Sequence, residues 1–197
     1  KVVQKSSFIR KCLIGKLIKM IVSQLEIIDQ GISYLESVSK ENYTTIVSPN
    51  FISSAGSHIR HIIDHYQAII AGVNNELIDY DIRLRGSDVE LSPTLAIEKL
   101  QQIAEWVKSQ TEEMLNKHIM LSTEVSVTNK LIQQVPTSVA RELVFAGSHA
   151  VHHYAMIAQI SLAQKNAQPQ LFGLAPATAT FLRNEREQAD IKQQGSK

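Results

Sequence analysis

Four long segments of the chain repeat apolar residues at intervals of three and four, which is the spacing of an amphipathic α-helix. They cover residues 20–38, 51–73, 93–117 and 138–164. Ser92 and Pro93 predict the start of the third helix, because serine caps helices well and proline is tolerated at the first helical position. Glycine and proline are sparse elsewhere. The sequence therefore predicts an all-α fold, a four-helix bundle with its long connection between the second and third helices.

The remaining segments are predicted to be connections, with one exception. Residues 76–91 alternate charged and aliphatic side chains without a clear period, which indicates a loop. Residues 119–134 set β-branched and aliphatic side chains among serine, threonine and asparagine, which favours a short β-hairpin between the third and fourth helices. The chain from Asn166 onward is interrupted by Pro169, Gly173 and Pro176 and is predicted to be irregular.

The predicted bundle covers residues 20–182 as one domain. Residues 1–19 carry six lysines and arginines and no acid, and the regular apolar pattern starts only at Met20. We expect residues 1–19 to be an extension outside the fold. Residues 183–197 are charged and rich in glutamine, and we expect a mobile tail.

Composition and charge indicate which classes of partner and which cellular location to expect. The formal net charge is +1, with both signs mixed along the chain, so we expect no nucleic-acid partner. No apolar run reaches the roughly 18 residues that cross a bilayer, so we expect no membrane segment. The single cysteine, Cys12, fits a reducing compartment and a cytoplasmic location.

Two histidine clusters lie in the second and fourth helical segments. The first contains His58, His61 and His65, and the second runs from His149 to His153. Together they hold six of the seven histidines of the chain. A metal site built from the two clusters would keep an open coordination position if three imidazoles bound the ion, as catalytic sites do.

On the fourth helix, the spacing favours His149 and His153 as a pair. They stand four residues apart and border the apolar stripe, whereas His152 turns away from it. Glu142 lies two turns before His149 on nearly the same line. It is a candidate catalytic base, or a group that orients a ligand.

On the second helix, the ligand is less clear. A helical wheel favours His58 or His65 as the inward-facing residue and gives His61 less support. The two clusters are also compatible with a pH-sensitive core that binds no metal, or with histidines that merely border the bundle.

Two motifs resemble the DinB-like family of metal-binding helical bundles. They are the segment from Ser54 to His65, which reads SAGSHIRHIIDH, and the segment from Arg141 to Ile157. Residues 80–85 and 172–178 add supporting similarity, and the resemblance covers residues 20–182. It implies an up-down-down-up four-helix bundle, a homodimer and a divalent metal ion held by three histidines.

The resemblance also assigns the ligands. His149 and His153 match the pair on the last helix. Counting from Gly56, the remaining ligand falls on His61, with His58 as the second candidate and His65 as the third. Zinc, nickel and iron all accept imidazole, so any of the three is expected as the divalent ion.

Members of the family include thiol-dependent transferases and a metal-dependent hydrolase, so the resemblance implies an enzyme that activates water or a thiol. The substrate is an unknown small molecule, and a low-molecular-weight thiol is one candidate. Arg60, Arg83 and Arg85 are candidates for binding its carboxylate, and the alternative for each is a solvated surface position or a structural ion pair. The alternative is a non-catalytic bundle that binds metal or forms a dimer.

Overall fold

The computed structural model describes the backbone of residues 2–194 and the side chains of residues 18–189 and 191. The helices are, in chain order, α1 (Val2–Ser37), α2 (Lys40–Thr44), α3 (Ala55–Asn75), α4 (Pro93–Lys108), α5 (Glu112–Asn116), α6 (Val139–Ala163) and α7 (Pro176–Gln194). A single 3-10 turn over Asp88–Glu90 precedes α4. None of the described helices is long and apolar enough to cross a membrane.

Helices α1, α3, α4 and α6 enclose the apolar core. α1 packs against α4 and α6, and α3 packs against the same two helices. Gly147 lets α6 approach α1 closely, because a Cβ there would lie 2.8 Å from the side-chain amide of Gln24. The largest fully buried side chains come from these helices and from their connections: Tyr34, Tyr43, Tyr66, Tyr154, Ile28, Ile59, Ile62, Ile63, Ile69, Ile78, Leu100 and Ile103.

A small sheet corrects the all-α prediction. β2 (His118–Glu124) and β3 (Ile132–Ser138) form the predicted antiparallel hairpin, which is therefore confirmed. β1 (Leu77–Asp79) pairs with β2 in parallel and makes the third strand. This strand falls in the segment predicted to be a loop. The sequence prediction missed it because its hydrogen-bonding partner lies more than 40 residues away.

The third predicted helix is two helices. α4 ends at Lys108, where the N–H of Ser109 bonds back to the carbonyls of Glu105 and Trp106. α5 begins after Thr111, whose hydroxyl accepts a hydrogen bond from the N–H of Met114. A side-chain cap of this kind starts a new helix and competes with continuation of the old one.

The C-terminal segment contains more regular structure than predicted. Phe172 is buried, and its ring lies 5.0 Å from the rings of both Tyr34 and Tyr154. α7 then begins at Pro176, in a region predicted to be irregular.

At the other end of the chain, α1 begins at Val2, upstream of Met20. The side chains of residues 1–17 and the backbone of residues 195–197 lie outside the described part of the chain. The proposed boundaries after residues 19 and 182 therefore stay predictions.

Candidate metal centre

Three histidines from two facing helices bring their ring nitrogens together. His61 lies on α3, and His149 and His153 lie on α6. The Nε2 atoms of His61 and His149 are 3.0 Å apart, and those of His149 and His153 are 3.1 Å apart. One nitrogen of each ring lies within 4.8 Å of those of the other two.

These separations match those of ligands that share one ion. Two nitrogens that bind a metal at about 2.0–2.1 Å, with about 90–109° between them, lie about 2.8–3.4 Å apart. The three rings are only partly buried, so one side of the cluster faces outward. The donor set and its spacing therefore fit a divalent ion with further positions open to other ligands.

Serine caps set the start of both helices that carry the cluster. The Ser54 hydroxyl accepts from the N–H of Ser57 at the start of α3, and the Ser138 hydroxyl accepts from the N–H of Arg141 at the start of α6. On α6, a spacing of four residues then stacks His149 and His153 one turn apart, on the side that meets α3.

The three imidazoles are held neutral. Burial, followed by the charges of neighbouring histidines and Arg83, lowers the pKa of His61 to about 2. Burial together with the nearby imidazoles lowers the pKa of His153 to about 3 and that of His149 to about 4. Neutral imidazoles have a free lone pair, so the rings are in the form that binds a metal.

His58 lies beside the three converging nitrogens and contacts one of these rings. Its Nδ1 lies 2.8 Å from Nδ1 of His153, and its Nε2 lies 2.9 Å from the hydroxyl oxygen of Ser53. Of the three α3 histidines considered as ligands, the structure groups His61 with the α6 pair.

His65, which the helical wheel favoured with His58, has a different contact. Its Nδ1 lies 3.0 Å from the backbone carbonyl oxygen of His61, and its ring stacks on Tyr80 at 4.8 Å. The wheel preference differs from the structure because it measures direction relative to the whole apolar stripe of α3. The cluster instead forms on the edge of α3 that meets α6.

Glu142 is fully buried and is bonded by three donors. The hydroxyl of Tyr80 donates to its Oε2 at 2.7 Å, and Thr137 and Arg141 donate to its Oε1 at 2.5 and 2.8 Å. The hydrogen bonds found for this carboxylate therefore involve no imidazole among the described residues. Its role as a catalytic base stays a prediction.

An aromatic wall, formed by Tyr80 and Phe145, lies beside the cluster and was missed from the sequence. The ring of Phe145 stacks on His149 at 5.6 Å and meets Tyr80 at the same distance, and the guanidinium of Arg141 lies 5.2 Å from the centre of the Phe145 ring. The signal was available for Phe145, which stands one turn before His149 on α6. Tyr80, which follows β1, belongs to the segment 80–85 noted for its resemblance, but that resemblance did not place it at the site.

The three candidate arginines differ in their surroundings. Arg60 is buried and forms ion pairs with Asp64 and Glu90. Arg83 and Arg85 are exposed, and neither has an acidic partner among the described side chains. Arg83 lies near enough for its charge to act on the imidazoles of the cluster.

Sequence comparison finds one distant relative. No family model matches the chain. FK506-binding protein 5 from Rhizopus delemar is 28% identical over 109 residues, a match that covers 55% of this chain. The match spans only 28% of that relative, so most of the relative has no counterpart in it.

A solved structure identifies the fold. A DinB-like protein, YjoA from Bacillus subtilis, matches with a TM-score of 0.57 over 78% of this chain and 98% of its own. The chain has a DinB-like fold. The resemblance found in the histidine motifs is thus confirmed for the fold, at a sequence identity of 15%. The DinB-like fold and the three-histidine cluster are compatible with a metal-binding protein.

Proposed function

We propose that the protein binds one divalent metal ion through His61, His149 and His153 and uses it to catalyse a transfer or hydrolysis reaction. The observation that carries this proposal is the convergence of three neutral imidazoles from α3 and α6, at separations of 3.0 and 3.1 Å between adjacent Nε2 atoms. Zinc, nickel and iron are the candidates, because each accepts imidazole ligands.

The ion would lower the pKa of a bound water or thiol and so supply a nucleophile near neutral pH. The residues of the chain do the rest. The aromatic wall of Tyr80 and Phe145 packs against one side of the cluster and would limit the access of water there. Arg83 offers an exposed positive charge for an anionic group, such as the carboxylate of a low-molecular-weight thiol.

The first test is elemental analysis of protein purified without an affinity tag, beside His61→Ala and His149→Ala. We expect near-stoichiometric metal in the wild type and its loss in both variants. His118→Ala is the matched control, since His118 is exposed on β2 and should leave the metal content unchanged.

The result also separates catalysis from simple binding. Metal in the wild type justifies a screen that combines thiols with electrophilic substrates, and turnover that needs His61 and His149 would support the enzyme. Stoichiometric metal without turnover would favour the non-catalytic bundle. Absence of metal even after incubation with zinc, nickel and ferrous iron would refute the proposal.

We also propose the up-down-down-up arrangement for α1, α3, α4 and α6. Two contacts between α1 and α6, Gln24 near Gly147 and Gly31 near Tyr154, advance together along both helices and support a parallel pair. Between α3 and α6 the order is reversed, because His61 lies near His149 and the earlier His58 lies near the later His153. These contacts support an antiparallel pair. A homodimer and a cytoplasmic location remain predictions from the sequence.

A further inference from the structure

His58 connects the candidate metal centre to the segment before α3. Its two ring nitrogens are both engaged, Nδ1 with Nδ1 of His153 at 2.8 Å and Nε2 with the Ser53 hydroxyl at 2.9 Å. His153 in turn directs its Nε2 towards His149, at 3.1 Å. A continuous chain of polar atoms therefore runs from Ser53 through His58 to the cluster.

The chemistry of imidazole assigns the protons along this chain. A neutral imidazole carries one N–H and one lone pair. When Nε2 of His153 offers its lone pair to an ion, the proton of that ring is on Nδ1, from which it donates to Nδ1 of His58. The proton of His58 is then on Nε2 and is donated to the oxygen of Ser53. Each donor meets one acceptor.

We propose that His58 is a positioning residue that holds His153 as the Nδ1–H tautomer, with Ser53 holding His58 in the same way. The inference rests on the proposed metal site, and it gives His58 a role other than that of a ligand. A hydrogen-bond acceptor behind a ligand histidine fixes the ring orientation and the tautomer and makes the ligand more basic.

His152 provides an internal comparison. Its ring lies 5.3 Å from that of His153, much as the ring of His58 lies 5.1 Å away on a tilted approach. His152 is exposed, however, and forms no side-chain hydrogen bond with the described residues. Proximity is therefore similar for the two histidines, and the hydrogen bond to His153 distinguishes them.

The test is zinc affinity, measured by competition with a chromophoric chelator, for four variants and the wild type. Loss of the acceptor in His58→Leu should weaken binding by about 10- to 100-fold. His58→Asn places an amide oxygen near the position of Nδ1 and should recover most of the affinity. Ser53→Ala should weaken binding less than His58→Leu does, and His152→Leu should leave it unchanged.

The tautomers are read directly by nitrogen-15 NMR of the histidine side chains in the zinc-loaded wild type. We expect the proton on Nδ1 of His153 and on Nε2 of His58. A metal-bound nitrogen on His58, or a proton on Nε2 of His153, would overturn the assignment. Equal affinities of His58→Leu and wild type would do the same, as would a His58→Asn protein that binds as weakly as His58→Leu.

The outcomes separate this inference from the proposed function. A wild-type protein that binds no zinc, nickel or ferrous iron refutes the metal site, and the role of His58 falls with it. A wild type that binds metal while His58→Leu binds it equally well refutes only the role of His58. If His58→Leu does not fold, Ser53→Ala and His58→Asn still test the proposal. An affinity of Ser53→Ala equal to that of the wild type, together with wild-type tautomers other than those expected, would contradict the proposed chain of hydrogen bonds.

Discussion

The charge of the buried Arg60 is paired with two carboxylates of the fold. Its guanidinium bonds to Asp64 one turn later on α3, and its Nε donates to Glu90 at 2.8 Å. Glu90 also accepts from the Ser57 hydroxyl and from the N–H of Gly86. This ion cluster ties the turn before α4 to the part of α3 that carries His58 and His61. Arg60 therefore supports the site instead of facing a substrate.

Arg60→Ala is expected to lower the free energy of unfolding by about 3–5 kcal/mol, because it leaves the buried Asp64 carboxylate without its partner. Urea unfolding followed by circular dichroism measures the change. Lys108→Ala is the control, since it breaks an exposed pair with Glu105 and should have little effect. An Arg60→Ala protein as stable as that control would show that the buried cluster contributes little.

The contact between α3 and α6 brings several imidazoles into one partly buried space. Burial and the neighbouring rings lower the pKa of His61, His149 and His153 to about 2, 4 and 3. In the unfolded chain each histidine titrates near pH 6.5. At mildly acidic pH these histidines therefore bind protons in the unfolded chain but not in the metal-free folded protein. The stability of the interface between α3 and α6 should thus decrease in acid.

The sign of the pH dependence follows from these directions. Above about pH 6.5 the three histidines are neutral in both the folded and the unfolded protein, and the interface contributes its full stability. Below that pH the histidines of the unfolded chain are protonated first. The free energy of unfolding then falls by up to about 1.4 kcal/mol per pH unit for each histidine. We expect the free energy of unfolding of the metal-free protein to decrease from pH 6.5 to 5.

Urea titrations at several pH values, with a chelator present, measure this dependence. His61→Ala should make it shallower, whereas His118→Ala, whose imidazole lies outside the cluster, should preserve the difference seen in the wild type. A wild-type stability that stays constant between pH 5 and 6.5 would contradict the burial of neutral imidazoles.

At the scale of the whole molecule, an ion bound by the three histidines would link α3 to α6, two helices that are far apart in the sequence. His61 is 88 residues before His149, so the unfolded chain does not hold the three ligands together. An ion that binds only the folded state stabilises it by mass action.

Added zinc should therefore raise the unfolding temperature, with a gain of about 2.7 kcal/mol when its free concentration is 100 times the dissociation constant. Differential scanning calorimetry with and without zinc measures the gain, and a chelator should reverse it. In His149→Ala the gain should be absent. Equal stabilisation of the wild type and His149→Ala would place the ion somewhere else on the protein.

Local patterns were sufficient to locate α1, α3, α4 and α6 along the chain and to pair His149 with His153. Both depend on the 3.6-residue repeat, which relates residues three and four apart whatever the rest of the chain does. The start of α4 at Pro93 and the hairpin of β2 and β3 could likewise be predicted from neighbouring residues, since caps and turns are short-range features.

The remaining features depended on how distant segments pack. Which α3 histidine joins the cluster depends on the rotation of α3 against α6, and the helical wheel could not resolve this. Strand β1 exists because Leu77 pairs with Met120, and the tail packs because Phe172 reaches Tyr34. The Tyr80 hydroxyl that bonds Glu142 comes from beyond β1, 62 residues earlier in the chain. Contacts between residues far apart in the chain leave no periodic trace in it, so three-dimensional packing was needed to reveal them.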